Sequence, residues 1–147
     1  MVSFVVYGEP VPQARARVTT NSFKPHGYEP EKSRNYKELV RLIAQQNRPI
    51  TGLLNGPIKL QVDVYRSIPR GFSKKRAAQA EAGEIRPTGK PDLDNYVKLI
   101  EDACNGVIWT DDARIVNLIA GKFYSTQPRI EVKIWQISTV KKEETVL

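Results

Sequence analysis

Apolar and polar residues alternate strictly from Ile58 through Lys59, Leu60, Gln61, Val62, Asp63, Val64 and Tyr65 to Arg66. Successive side chains of a strand point to opposite faces, so this run predicts a strand with one face buried and one wet. Arg129–Ile137 alternates in the same way and predicts the last strand. Ser3–Tyr7, rich in Val and aromatics, predicts the first. Arg114–Tyr124 predicts another, with Gly121 marking a bulge or a close approach. Elsewhere the period changes. Tyr36, Leu39, Val40, Ile43 and Ala44 recur at steps of three and four and predict a helix over Glu31–Gln46, ended by Pro49 and Gly52. Val97, Ile100, Cys104 and Val107 do the same for a helix over Asn95–Asn105, with Gly106 in the left-handed place after it. Ser73 is placed to cap a short Ala-rich helix, Lys74–Ala82. Residues 8–30 hold four prolines and few apolar side chains and predict a long loop, a length that usually carries function. The order predicts an α/β (α+β) fold, a small mixed β-sheet with two main helices packed on one face. Residues 1–139 form one domain and 140–147 a charged tail.

Composition narrows the class. A chain of 147 residues is long enough for one core, burying roughly 70% of its unfolded surface. No apolar run approaches the roughly 18 residues of a membrane span, and the N-terminus lacks a basic leader, which predicts a cytoplasmic protein with no membrane partner. A single cysteine, Cys104, excludes a disulfide framework and a multi-cysteine zinc site, and its place on a helical stripe makes it a small core residue. No Gly-rich phosphate loop is present, so no nucleotide cofactor is expected.

Lys and Arg number 23 against 16 Asp and Glu, a net +7 that favours an anionic partner such as nucleic acid. The total hides a segregation. Residues 8–48 hold eight bases and four acids, and residues 66–90 hold seven bases against Glu81 and Glu84. Residues 91–112 reverse the sign: Asp92, Asp94, Glu101, Asp102, Asp111 and Asp112 face only Lys98. Arg15, Arg17, Lys24, Lys74, Lys75 and Arg76 are candidates for phosphate contacts, with Lys90 directly before the acidic stretch. Phe23, Tyr28 and Phe72 lie beside these bases and either stack on unpaired bases or pack within loops. His26 is alone in its loop and reads as structural or solvent-facing.

The chemistry concentrates in Lys90-Pro91-Asp92-Leu93-Asp94-Asn95-Tyr96-Val97-Lys98 and in Asp111-Asp112. Pro91 disfavours helix for Lys90. With Asp92-Leu93-Asp94 extended and a helix starting near Asn95, the two aspartates share one side and Leu93 points into the core. Lys98 then stands one turn above Asp94. The chain returning after Gly106 brings the Asp111-Asp112 pair back toward the helix start, and only one of two consecutive side chains can face the site. Three converging carboxylates repel, and Mg²⁺, a hard ion that takes carboxylate oxygens, removes that conflict. Such an ion binds a phosphodiester and activates water, and Lys98 is placed to hold the scissile phosphate or neutralise developing charge. Plainer readings stand beside this one: Asp94 as a helix N-cap, Asp92 and Asp111-Asp112 as turn residues, Lys98 as a solvated helix residue.

With those residues in view, the chain resembles the RusA-like family of Holliday junction resolvases, found mainly in phages and prophages. The resemblance rests on Lys90-Pro91-Asp92-Leu93-Asp94-Asn95, on Lys98, and on Trp109-Thr110-Asp111-Asp112 followed by Ile115-Val116. It covers Lys90–Ser125 specifically and extends loosely to the first strand, the Pro/Arg loop Glu9–Arg17 and the central strand. It implies a Mg²⁺-dependent homodimeric endonuclease that cuts four-way DNA junctions by paired symmetric nicks in recombination and repair. It assigns metal binding to Asp92, Asp94 and Asp112, with Asp111 a further candidate, and catalysis to Lys98 together with those three acids. Family members often carry a base directly before the first Asp, whereas here Pro91 stands there and Lys90 is one earlier. Two other readings are a nuclease for flaps and forks, and a non-catalytic basic DNA-binding protein whose acids are structural.

Overall fold

A computed structural model describes residues 1–14, 17–18, 27–28 and 30–138. In chain order its elements are β1 (Val2–Tyr7), β2 (Arg17–Val18), β3 (Gly27–Tyr28), α1 (Glu31–Gln46), β4 (Ile58–Ser67), α2 (Lys74–Glu81), α3 (Leu93–Cys104), β5 (Ile115–Ser125) and β6 (Arg129–Gln136). Four strands make one sheet in the order β1-β6-β4-β5, and β2 and β3 pair as a separate small ribbon. The contacts of β6 with β1 and β4 are antiparallel, and β4 and β5 run parallel, so the sheet is mixed as expected.

Parallel neighbours cannot be joined by a hairpin, so residues 68–114 form a crossover, and it carries α2 and α3. That crossover decides where the acidic stretch goes. Arg66 and Lys122, near the C-terminal ends of β4 and β5, reach the carbonyls of Lys90 and Pro91 just before α3. Asn105 bridges Trp109 just after α3, ahead of β5. α3 therefore runs back along the sheet, with its start at one end of the parallel pair and its finish at the other.

The alternation in β4 does what it predicts. Ile58, Leu60, Val62 and Val64 are buried, and Lys59, Gln61 and Asp63 are only half-covered. Ile130, Val132 and Ile134 of β6 and Phe4 and Val6 of β1 continue the same buried face. Each such aliphatic side chain contributes about 1.5–3 kcal/mol. α1 and α3 cover it. α1 gives Tyr36, Val40 and Ala44, while Leu39 is exposed, so its buried stripe is narrower than the spacing predicts. α3 is buried on most sides through Tyr96, Val97, Leu99, Ile100, Ala103 and Cys104. Arg41 of α1 donates to the carbonyls of Asp102 and Ala103 and so ties the end of α3 to its neighbour.

Ser73 accepts the Arg76 N–H at 3.2 Å and caps α2 as expected. Gly121 is a close approach and not a bulge: a Cβ there would lie 2.8 Å from the Phe123 ring. The irregularity of β5 sits instead at Val116, the extra residue where the pairing steps from Ile58–Ile115 to Lys59–Asn117. Among the described residues no helix is long and apolar enough to cross a membrane. The charged tail and His26 lie outside the described residues.

Candidate active site

α3 begins at Leu93, two residues before the expected start, because Leu93 packs against the core together with Val97 one turn later. Asp92 is therefore the N-cap residue, with extended backbone, and its carboxylate makes no capping hydrogen bond. Asp94 lies inside the first turn, exposed, where a negative charge favours the helix dipole. The extended pairing of Asp92 with Asp94 is thus corrected: the two leave the backbone in different directions. Asp92 opens on a cleft with Gln13, Ala14, Lys90 and Pro91. Asp94 opens on a neighbouring groove, and Asn95 lines both.

That groove runs between α3 and β5. Asp94, Lys98 and Glu101 form its polar wall, at helical steps of four and three, and Leu118 and Ala120 of β5 lie across from them. Lys98 pairs with Asp102 at 3.3 Å, and Lys37 of α1 approaches the same carboxylate at 3.8 Å. The Lys98 side chain is 59% exposed, so the pair contributes well under 1 kcal/mol to folding. Its effect is on charge: hydrogen bonding to Asp102, then the Asp102 charge, holds the Lys98 ammonium above its usual range. Lys98 therefore stays protonated at neutral pH.

Asp112 opens a single 3-10 turn, Asp112–Arg114, after an N-cap at Asp111. The Asp111 Oδ1 accepts the Ala113 N–H at 3.1 Å. The Asp112 Oδ1 accepts the indole N–H of Trp109 at 2.8 Å, and Trp109 is fully buried. Asp112 is thereby fixed from the core. It lies near enough to Glu101 and Lys98 to raise the pKa of both. Burial, and then the Asp112 charge, push the Cys104 thiol up to about 12, so Cys104 is an inert core residue.

Asp92, Asp94, Glu101 and Asp102 are strung along α3, Asp111 and Asp112 follow in the later turn, and the acids are not gathered at one point. Among the described residues, no group of three or more His, Cys, Asp or Glu side chains is placed to hold a metal ion. The donors nonetheless fit a hard divalent cation in kind: all are carboxylate oxygens, and among the described residues no imidazole lies beside them. The Asp92 carboxylate is unused as a cap, although an N-cap Asp normally spends it there for about 1 kcal/mol.

Trp109 as the anchor of Asp112, and Glu101 as a second acid lining the groove beside Asp94, are absent from the sequence expectation. Glu101 was legible, three residues after Lys98 and seven after Asp94. Its carboxyl is pushed above the usual range, first by burial and then by Asp112, with Lys98 opposing. A raised folded-state pKa costs the fold nothing while the acid is protonated in both states. The cost appears as pH rises past the unfolded value of about 4.3 and is complete above the folded one. Glu101→Gln is therefore expected to raise the melting temperature at pH 7 and to leave it unchanged near pH 3. Thermal melts at the two pH values check this.

The basic candidates divide. Lys74, Lys75 and Arg76 are exposed in the first turn of α2, where cations oppose the helix dipole. Arg76 also stacks 4.2 Å over Phe72, whose ring meets Tyr124 edge-on at 5.8 Å, so Phe72 is held by local packing. Lys90 is exposed at the Asp92 cleft. Arg17 and Tyr28 are placed by backbone only, in β2 and β3, and Arg15, Phe23 and Lys24 lie outside the described residues.

Two comparisons bear on this groove. The sequence model of a family described as Endodeoxyribonuclease RusA matches residues 7–135. An uncharacterized protein of Bacillus subtilis strain 168, YqaN, is 47% identical over 139 residues, which cover 93% of this chain and 97% of that protein.

Proposed function

This chain belongs to the RusA endodeoxyribonuclease family, and from that premise we propose that it is a Mg²⁺-dependent endonuclease that resolves four-way DNA junctions. On this reading Asp92, Asp94 and Asp112 hold the cation, with Asp111 beside them, and Lys98 faces the scissile phosphate. The observation that carries it is the groove in which Asp94 and a lysine kept protonated line one wall, with Asp112 close by. A cation bound there would supply an activated water and stabilise the leaving oxygen. The protein supplies the rest. Lys98 places a permanent positive charge where negative charge grows in the transition state. Trp109 holds Asp112 in one orientation. Lys74, Lys75, Arg76 and Lys90 hold phosphates of the arms, positioning the junction without reading its sequence. A homodimer places one groove at each of two opposed strands, which gives paired symmetric nicks. This is the chemistry required to resolve junctions in recombination and repair.

The test is a synthetic four-way junction offered beside a flap, a fork and plain duplex, with Mg²⁺ or with excess chelator. Paired nicks in the junction alone, lost with chelator, are expected. Equal cutting of all four substrates overturns the junction claim, and cutting without any divalent metal overturns the metal claim. Because the acids stand apart, the reading makes a second demand. Mg²⁺ must bind the folded chain and raise its melting temperature in a concentration-dependent way.

A further inference from the structure

The segment leading into α3, residues 83–92, has no regular secondary structure, yet it carries Asp92. Its backbone is held by cations from elsewhere. Arg66 of β4 donates to the Lys90 carbonyl at 3.1 Å. Lys122 of β5 donates to two carbonyls, Gly89 at 2.9 Å and Pro91 at 3.1 Å. Arg86 returns the contact, donating to the Lys122 carbonyl at 2.7 Å while its guanidinium lies 3.9 Å over Phe123. Gly121 leaves room for this, since a Cβ there would come within 3.2 Å of the Arg86 Nη2. Three consecutive carbonyls, of residues 89, 90 and 91, are thus held by side chains of the parallel strand pair.

Ordering a lysine side chain costs rotamer freedom. Lys122 meets that cost with neutral carbonyls. Among the described residues its ammonium has no carboxylate within ion-pair distance. The second of those carbonyls is decisive. The peptide joining Pro91 to Asp92 is planar, so fixing the Pro91 oxygen fixes the plane from which Asp92 departs. Asp92 is the N-cap of α3 and spends no carboxylate oxygen on capping. The clamp fixes the entry to the helix by the backbone, where a capping side chain ordinarily does so, and Asp92 keeps its carboxylate for the cleft.

We infer that Lys122 is a positioning residue that fixes Asp92 for cation binding by holding the carbonyls of Gly89 and Pro91. The inference rests on the reading of Asp92 as a metal ligand. Residues that orient a ligand usually change metal affinity or activity by about 10–100-fold when removed.

The experiment compares Lys122→Met, Lys122→Arg and Asp92→Asn in the full chain. One readout is the Mg²⁺ concentration for half-maximal junction nicking. The other, free of activity, is the Mg²⁺ concentration that gives half of the metal-dependent rise in melting temperature. Lys122→Met is expected to raise both midpoints about tenfold or more, with junction binding in chelator unchanged, and Lys122→Arg to recover most of the loss. A purely structural lysine would lower the metal-free melting temperature and leave both midpoints in place, which overturns the inference. If Lys122→Met lacks a cooperative melt, Lys122→Gln, which keeps one donor group, is judged by the same midpoints. Wild-type midpoints in the lysine variants, with Asp92→Asn defective, overturn the clamp and leave the function standing. Wild-type midpoints in Asp92→Asn overturn the reading of Asp92 and the clamp with it.

Discussion

Replacing Asp94 by asparagine is expected to lower the rate of junction nicking about a thousandfold and to leave junction binding within about twofold of wild type. The amide keeps the shape of the side chain and removes its charge. On the proposed reading that charge is spent on the cation, and losing about 4 kcal/mol of transition-state stabilisation corresponds to roughly a thousandfold in rate. The fold gives up far less. Asp94 is exposed in the first turn of α3, where its charge is worth about 0.3–1 kcal/mol against a total stability of about 5–15 kcal/mol. Binding in chelator separates this reading from a DNA-binding protein with structural acids. Removing a negative charge beside DNA does not weaken phosphate contacts, so the variant should bind as tightly as the parent and fail to cut. Gel shifts in chelator and nicking in Mg²⁺ measure the two effects, and nicking within tenfold of wild type overturns the assignment of Asp94.

What the sequence makes legible here follows from how local each signal is. The strand at Ile58 and the helix at Glu31 are written in side-chain period and in the Pro49 and Gly52 that stop the helix, which neighbours alone decide, and both appear almost to the residue. The start of α3 is a different case. Pro91 limits helix only up to Lys90, and whether Leu93 is the last extended residue or the first helical one depends on the core it meets. It meets the buried face of the sheet, so the helix starts early and Asp92 and Asp94 part. Gly121 gave a double signal, bulge or close approach, and only the Phe123 ring lying over it selects the second. Leu39 has the right spacing for the buried stripe, yet it is exposed, and among the described residues no element covers it. The acidic stretch was legible as a charge pattern. The partners of the backbone leading into it were not, because Arg66 and Lys122 reach that backbone across 24 to 33 positions of sequence.

Trp109 joins the two kinds of information, since its ring belongs to the core and its N–H to the site. Two substitutions separate these roles. Trp109→Ala removes a fully buried side chain and leaves a cavity, and is expected to cost about 3–5 kcal/mol of stability, read as a lower urea midpoint with an unchanged slope. Against a total of about 5–15 kcal/mol, that leaves a protein at the edge of folding at physiological temperature. Trp109→Phe keeps an aromatic ring in the same pocket and deletes only the donor to the Asp112 Oδ1, now 2.8 Å away. Asp112 is half-exposed, so water takes the free oxygen and the folding cost stays near 1 kcal/mol. The orientation of the carboxylate is lost, and nicking should fall about 10–100-fold while the variant remains folded and binds junctions normally. Single-turnover nicking on samples shown to be folded by urea melts decides the matter. A Trp109→Phe protein that cuts at the wild-type rate would reduce Trp109 to packing alone and leave Asp112 positioned by its backbone turn.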